Sequence, residues 1–183
     1  MEKPNVSAGQ GGRTASRIVL GQSDDAPPLG YLPLVSVVVT TYTLDRLKDV
    51  KELINSLRAQ TYPHIEVVFV GDGHPVLCQE VARYAQAIGI ENMRVVFNKG
   101  EPGASAARNL GIQHARGYII AFIDDDAVAA PDWVEQMVKT YTAYPDVIGV
   151  FGPAFPLWED PSLSWLPEEL HWLVSCSSWC EWK

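Results

Sequence analysis

The sequence predicts an α/β fold in which a mostly parallel sheet carries helices on both faces. Short runs rich in β-branched residues alternate along the chain with longer stretches whose apolar residues recur at helical spacing. Several of these runs are apolar on both faces, as expected of strands that are covered from both sides. Strands that alternate with helices in this way form a parallel sheet.

The composition narrows the classes of function. The 183 residues are enough for one domain with a hydrophobic core, or for one domain plus a tail. A net charge of −8 argues against a nucleic-acid partner, because such a partner needs a basic surface. The same charge does not argue against nucleotides, since a bound cation can screen a diphosphate.

Three features of the sequence indicate the cellular compartment in which the protein is found. Three cysteines (Cys78, Cys176 and Cys180) are too few for a disulfide framework. The longest apolar runs are far shorter than the ~20 residues of a membrane span. The first residues lack the apolar core of a signal peptide. We therefore expect a soluble protein in the cytoplasm.

Three segments differ in composition. Residues 1–30 are rich in Gly, Ser, Pro and Gln and are predicted to form a disordered tail. Residues 31–155 contain nearly all the strand and helix patterns and are predicted to form one domain. Residues 156–183 are rich in Trp and Pro, and their prolines forbid one continuous helix.

Three strands and two helices are predicted in the first half of the domain. The strands are residues 35–42, 65–70 and 93–97. The first helix has an apolar face made of Leu47, Val50, Leu53, Ile54 and Leu57. The second helix runs from Leu77 to Ile88 and is ended by Gly89.

The second half continues the alternation. Residues 104–115 form a helix of small residues that can lie close to the sheet, and residues 118–123 form a buried strand. Pro131 suits the first position of another helix, whose inner face comprises Trp133, Val134, Met137, Val138 and Tyr141. A further strand is predicted at residues 147–151 and a short helix at residues 167–174.

Three consecutive carboxylates, Asp124, Asp125 and Asp126, directly follow the strand at residues 118–123. Like charges at the end of a buried strand repel one another, and a divalent cation removes that repulsion. Hard oxygen ligands suit Mg²⁺ or Mn²⁺. The carboxyl end of a strand is also where open α/β sheets bind ligands. The alternative is that the triplet caps the next helix or forms a solvated turn.

Four motifs, in this order and spacing, carry a resemblance to a known family. They are Val-Ser-Val-Val-Val-Thr-Thr-Tyr at residues 35–42, Ile-Glu-Val-Val-Phe-Val-Gly-Asp-Gly at 65–73, Gly-Ala-Ser-Ala-Ala-Arg-Asn-Leu-Gly-Ile at 103–112, and Phe-Ile-Asp-Asp-Asp at 122–126. Together they resemble the family 2 glycosyltransferases, which have the GT-A (Rossmann-like) fold. The resemblance covers about residues 33–155 and identifies the Asp triplet with the family's DxD motif.

The resemblance implies a nucleotide-sugar donor, UDP- or GDP-linked. Thr40 and Tyr42 match positions at the nucleoside, with Tyr42 against the base, and Thr41 and Gly103 belong to the same donor-binding set. Asp72 matches the carboxylate that accepts a hydrogen bond from the base, although a role as a turn residue is the alternative.

At the diphosphate, Arg108 matches the arginine of the family's helix, with a solvated helix charge as the alternative. Asp126 matches the direct metal ligand, and Asp124 lies nearer the ribose or a metal-bound water. Asp125 matches the variable middle position of the DxD motif; it is counted with the donor-binding residues but not as a metal ligand. A Mg²⁺ or Mn²⁺ ion would act as a Lewis acid on the departing diphosphate, with Arg108 adding electrostatic stabilisation.

The sequence departs from the family pattern in three places. Position 71 is Gly where the family usually has the first of two acids, and His74 replaces a small hydroxyl residue. The carboxylate base of an inverting enzyme would fall beyond Lys183. The chain is therefore expected to be either a fragment or a donor-binding half that works with another component, and its acceptor region is predicted to begin near residue 156. Four acids in that region do not match the base motif: Glu159, Asp160, Glu168 and Glu169.

The resemblance implies an inverting transferase acting on a saccharide or lipid-linked acceptor, and three functions from other classes are alternatives to it. One is a nucleotide-sugar-binding module that lacks the catalytic base. A haloacid dehalogenase-type phosphatase would need its carboxylates on the first strand, and a nucleotidyltransferase would need a basic, Gly-rich loop after that strand. The Trp-rich segment has three interpretations: an acceptor site, a peripheral membrane contact, or apolar surface that packs against a continuation of the chain.

Overall fold

The computed structural model describes residues 32–174 and residue 176. The predicted N-terminal tail and the last tryptophans, Trp179 and Trp182, lie outside these residues. Within the described part the helices are α1 (Leu47–Arg58), α2 (Pro75–Ala87), α3 (Ala104–His114) and α4 (Trp133–Ala143). Short 3-10 helices cover Leu44–Arg46, Pro161–Trp165 and Glu168–Val174.

The described strands form one parallel sheet. They are β1 (Val35–Thr41), β2 (Ile65–Asp72), β3 (Met93–Asn98) and β4 (Ile119–Phe122), in the spatial order β3-β2-β1-β4. The register pairs Val37 with Val67 on one side of β1 and with Ala121 on the other. The predicted α/β class and parallel sheet are confirmed.

Helices cover both faces of the sheet, as predicted. Val35, Val37 and Val39 of β1 belong to a core cluster with the apolar faces of α1, α2 and α4. Val38 points to the opposite face, where it packs with Val68, Val70 and Ala107 of α3. Because β1 is buried on both faces, its sequence is apolar at nearly every position.

Helix α3 lies close to the sheet because its contact residues are small. A Cβ added at Gly111 would lie only 2.4 Å from Cγ1 of Val38, so no larger residue fits there without movement of the helix. Ala107, one turn earlier, is also buried against the sheet. This confirms the prediction made from the small residues of this helix.

Three details differ from the sequence predictions. Helix α4 begins at Trp133, and Pro131 lies before it, where its carbonyl accepts a hydrogen bond from the amide of Thr61 at 2.8 Å. Residues 147–151 form no strand; Ile148 is 92% exposed, and no neighbouring strand in the described part pairs with this apolar run. Strand β4 is an edge strand of the described sheet, so Phe122 is exposed instead of buried.

A buried polar network fastens the amino ends of three strands. The carboxylate of Glu66 on β2 accepts hydrogen bonds from Ser36 Oγ at 2.6 Å and from the backbone N–H of Arg116 at 2.6 Å. The guanidinium of Arg116 contacts the same carboxylate at 2.7 Å and 2.8 Å, and Gly117 donates its N–H to Ser36 Oγ. The network ties β1, β2 and the segment before β4 together, at the sheet end opposite to the Asp triplet.

Glu66 is expected to make stability depend on pH. Burial raises the pKa of Glu66. The hydrogen bonds from Ser36 and Arg116 and the charge of Arg116 together lower it by more than burial raises it, so the pKa of Glu66 is below its ordinary value. A carboxyl whose pKa is lower in the folded state stabilises the fold above its unfolded pKa of about 4.3 and loses that contribution as the pH falls through its folded pKa.

We therefore expect Glu66→Gln to cost about 2 kcal/mol of unfolding free energy at pH 7, the scale of hydrogen bonds to a charged group. The difference from wild type should shrink as the pH is lowered below about 4. Urea denaturation between pH 3 and 7 measures both effects, with the exposed Glu91→Gln as a control. A difference that stays constant over this range would show that Glu66 is not charged in the folded protein.

Candidate functional site

The candidate site lies where the strand order reverses. The chain passes from β1 to β2 and β3 on one side of the sheet and then returns to form β4 on the other side of β1. In open α/β sheets, ligands bind at the carboxyl ends of the strands beside such a reversal. Residues 42–46 follow β1 at this point, and the triplet Asp124–Asp126 follows β4.

A single guanidinium nitrogen of Arg46 contacts two carboxylates of the triplet. Its Nη1 donates to Asp125 Oδ1 at 3.0 Å and also to Asp126 Oδ2. Asp125 is only 8% exposed, whereas the Asp126 side chain is about half-exposed. The hydrogen bond that Arg46 donates to Asp126 and the charges of both aspartates raise the pKa of Arg46 above its ordinary value, so it is a permanent cation here.

Asp124 points to a different partner. Its Oδ1 accepts a hydrogen bond from Arg108 Nη2 at 3.1 Å, and both side chains are largely exposed. The structure therefore brings Arg108 of α3 next to the triplet, as the sequence predicts. The two metal candidates of the DxD motif, Asp124 and Asp126, face different arginines, and the carboxylate that shares a cation with Asp126 is Asp125.

Asp72 organises the loop that leads into α3. Its Oδ1 accepts a hydrogen bond from Asn98 Nδ2 at 2.6 Å, and its Oδ2 accepts one from the backbone N–H of Gly103 at 2.7 Å. Asp72 is 7% exposed, and its partners lie 26 and 31 residues away along the chain. A buried carboxylate with distant partners is more than a turn residue. It fixes the start of the helix that bears Arg108.

The residues predicted at the nucleoside lie at the end of β1. Thr40 is half-buried, and Tyr42 is 69% exposed, so one face of its ring is accessible to a ligand. Thr41 is buried, and within the described residues its Oγ1 has no hydrogen-bond partner. These positions agree with the sequence prediction in location; their contacts with a nucleoside stay a prediction.

The first departure from the family pattern, at Gly71, lies at a close contact. A Cβ at this position would lie 2.3 Å from Cys78 Sγ, so a larger residue would require the Cys78 side chain to shift. His74 immediately precedes α2, whose first residue is Pro75, a favoured position for proline. In the described part of the chain, the buried Nδ1 of His74 has no hydrogen-bond partner.

A cleft of about 340 Å³ opens beside Arg46 and Asp126. Its wall includes the start of α1, the residues after the triplet and the segment around Glu159. Glu159 is held there by Lys48, whose Nζ lies 3.4 Å from Glu159 Oε1. The lining residues are Arg46, Asp49, Glu52, Asp126, Ala127, Val128, Leu157 and Glu159. The cleft therefore connects the triplet with the Trp-rich segment.

The carboxylate oxygens of the triplet meet some of the requirements of a site for a hard divalent cation. Within the described residues, no three His, Cys, Asp or Glu side chains form a cluster that could hold a metal ion. Asp125 and Asp126 nevertheless present one oxygen each to the same cationic nitrogen, so two carboxylate oxygens converge on one point. Mg²⁺ and Mn²⁺ are commonly bound through one or two carboxylates, with the remaining ligands from water and substrate phosphates.

Arg46 is a residue at this site that the sequence analysis did not identify. The amphipathic pattern accounts only for the residues of α1 that face the core, and it assigns no role to Arg46. A signal was present: Arg46 is the single basic residue among residues 42–47, next to the strand end where three carboxylates were expected.

Comparisons with known proteins identify the family of this chain. The profile of the family described as "Glycosyl transferase family 2" matches residues 36–172, which is most of the chain. This chain belongs to glycosyltransferase family 2. The match extends beyond the predicted domain and includes most of the Trp-rich segment that the structure describes.

Two relatives illustrate the similarity within the family. A Haloferax volcanii protein named glucosyl-dolichyl phosphate glucuronosyltransferase is 39% identical over 143 residues, 78% of this chain and 45% of the relative. The glycosyltransferase AglE of the same organism is 32% identical over 111 residues, 60% of this chain and 36% of the relative. The chain thus spans less than half the length of these relatives.

Solved structures of glycosyltransferases share the fold. The mannosyltransferase PcManGT from Pyrobaculum calidifontis, solved with GDP-Man and Mn²⁺, has a TM-score of 0.56 and 30% identity, covering 64% of this chain and 35% of that one. The S. aureus protein TarS, solved with UDP-GlcNAc, has a TM-score of 0.52 and 25% identity, covering 68% and 37%. The expected GT-A fold is thereby confirmed.

Proposed function

We propose that this chain is the donor-binding part of a metal-dependent glycosyltransferase that uses a nucleoside-diphosphate sugar. The observation that carries the proposal is the pair of carboxylates, Asp125 and Asp126, that converge on one cationic point at the strand reversal, with Arg108 alongside. The family membership and the nucleotide sugars bound by two similar structures support it.

In this proposal the nucleoside lies over the carboxyl ends of β1 and β2. Thr40, Thr41 and Tyr42 contact it, with the exposed Tyr42 ring against the base. Asp72 accepts a hydrogen bond from the base while it holds Gly103. Each carboxylate oxygen of Asp72 has two lone pairs and accepts one hydrogen bond, from Asn98 or from Gly103, so each oxygen keeps one lone pair for the base.

The diphosphate lies between Arg108 and the triplet. An arginine fork suits phosphate oxygens, and Arg108 is exposed and already oriented by Asp124. Asp126 would hold a Mg²⁺ or Mn²⁺ ion, with Asp124 or the neighbouring Asp125 assisting. Such an ion, when bound, supplies a Lewis acid for the charge that develops on the departing diphosphate. Mn²⁺ beside GDP-Man in PcManGT supports this assignment.

The acceptor is proposed to be a saccharide or a lipid-linked sugar, and the reaction to invert the anomeric configuration. The name of the Haloferax relative contains a dolichyl phosphate, which supports a lipid-linked acceptor. In the described part of the chain, none of the helices is both long and apolar enough to cross a bilayer. A peripheral contact through the Trp-rich segment, where Trp165 is 72% exposed, belongs to this proposal, as does a cytoplasmic location.

The proposal is tested by incubating the chain with UDP- and GDP-sugars, Mn²⁺ and a panel of sugar and polyprenyl-phosphate-linked acceptors. Mass spectrometry detects transfer, and NMR of the product gives the anomeric configuration. Transfer with inversion supports an enzyme. Donor binding without any transfer would support only the donor-binding part of the proposal, because the sequence places the catalytic base outside this chain, and the absence of both would contradict the proposal.

A further inference from the structure

A single side chain, Arg46, neutralises the carboxylates that are proposed to hold the metal ion. Its Nη1 contacts both Asp125 Oδ1 and Asp126 Oδ2, and Asp125 is buried. A buried carboxylate needs a positive partner, because desolvation of an unpaired charge is costly. In the structure, Arg46 is that partner.

The position of Arg46 is incompatible with a divalent cation bound between the same two oxygens. A cation ligated by Asp126 needs oxygen contacts of about 2.0–2.1 Å for Mg²⁺. A guanidinium nitrogen that hydrogen-bonds to those oxygens occupies the space between them, and its charge repels the ion. Either the arginine or the metal ion can hold this pair of carboxylates, but not both.

The surroundings of Arg46 allow its side chain to leave. The Arg46 side chain is 38% exposed and lines the cleft of about 340 Å³, so it has room to swing away from the triplet. The backbone turn that carries it is held independently, because Thr43 Oγ1 accepts a hydrogen bond from the N–H of Asp45 at 3.2 Å. Loss of the guanidinium contacts therefore does not require the turn to unfold.

We propose that Arg46 occupies the cation position in the metal-free protein and is displaced when a divalent cation binds, so that this residue sets the metal affinity of the site. The inference rests on the proposed function, since it takes Asp126 to be a metal ligand. Arg46 acts as a built-in counter-ion: it keeps the three carboxylates together without metal, and it makes the free protein a weaker metal binder.

The test is a titration with Mn²⁺ in the absence of nucleotide, in which the electron paramagnetic resonance signal of the free ion reports how much is bound. It is carried out on wild type, Arg46→Gln, Arg46→Lys and Lys48→Gln. Arg46→Gln removes the competing charge and is expected to tighten Mn²⁺ binding about tenfold, because the ion no longer has to displace a guanidinium that is paired with both carboxylates. Arg46→Lys keeps a charge and should lie between the two. Lys48→Gln removes an equal charge nearby, from a side chain paired with Glu52 and Glu159, and should change the affinity less than about twofold.

The same titration on Asp126→Asn separates this inference from the proposed function. If Asp126→Asn abolishes Mn²⁺ binding but Arg46→Gln leaves it equal or weaker, Asp126 is a ligand and the role proposed for Arg46 is wrong. If Mn²⁺ binding is absent or survives Asp126→Asn unchanged, the metal assignment of the proposed function is wrong, and the inference about Arg46 is overturned with it. Circular dichroism confirms that each variant is folded, and Arg46→Lys provides a second, milder substitution.

Discussion

Asp126→Asn is expected to weaken Mn²⁺-dependent binding of a nucleoside diphosphate by at least about a hundredfold. Loss of groups that only support a metal ligand typically costs 10–100-fold in metal affinity or activity, so loss of a direct ligand should cost no less. Asparagine keeps the size of the side chain but removes the negative charge that both the ion and Arg46 need. Isothermal titration of UDP and GDP in the presence of Mn²⁺ measures the effect.

A matched control for this substitution is Asp132→Asn. Asp132 precedes α4, its carboxylate accepts a hydrogen bond from Gln136 within the same helix end, and it has no contact with the triplet in the described structure. Nucleotide affinity should therefore stay within about twofold of wild type, as usual for surface substitutions. If Asp126→Asn behaves like Asp132→Asn, the triplet is a cap or a solvated turn and not a metal site.

The second large effect is expected at Gly117, where alanine should destabilise the fold by about 3 kcal/mol or more. A Cβ at Gly117 would lie 2.5 Å from the backbone nitrogen of Ser36, 2.6 Å from its Oγ and 2.8 Å from the carbonyl oxygen of Leu34. Backbone atoms of β1 cannot move aside without breaking the sheet. Ser36 Oγ is also fixed, because it donates to Glu66 and accepts from the N–H of Gly117.

Urea denaturation of Gly117→Ala measures this loss, and Gly149→Ala is the matched control. A Cβ at Gly149 would meet no atom within 4 Å, so the same substitution should change the unfolding free energy by less than about 0.5 kcal/mol. Equal stability of the two variants would mean that the segment before β4 does not pack against β1 as the structure shows.

Much of the fold could be predicted because its signals are local. The β-branched runs of β1 and β2 and the apolar face of α1 gave the correct element types, since burial on both faces or on one helical stripe leaves a direct pattern in the sequence. Residues 147–151 show the limit of such signals. An apolar, β-branched run becomes a strand only when a neighbouring strand completes its hydrogen bonds, and the sequence of the run does not contain that neighbour.

The site could be predicted only at the level of which strand ends meet. Motif order indicated that Asp72, Arg108 and the triplet belong together, and the structure brings Arg108 next to Asp124. Which arginine each carboxylate of the triplet contacts depends on side-chain geometry. The spacing of the motifs therefore does not predict that Arg46 contacts both Asp125 and Asp126. The contact between position 71 and Cys78 is likewise a property of the packing of α2 on β2 and is not contained in the spacing of the motifs.

Thermal unfolding in the presence of UDP or GDP, with Mn²⁺ or with EDTA, tests the nucleotide and metal site most directly. A nucleotide at 100 times its Kd should stabilise the wild-type chain by about 2.7 kcal/mol, which is a shift of about 5 °C or more for a domain of this size. We expect this shift with one of the two nucleotides, with Mn²⁺ but not with EDTA, and not in Asp126→Asn. A folded protein whose Tm is unchanged by either nucleotide in Mn²⁺ would contradict a donor site at the ends of β1 and β4.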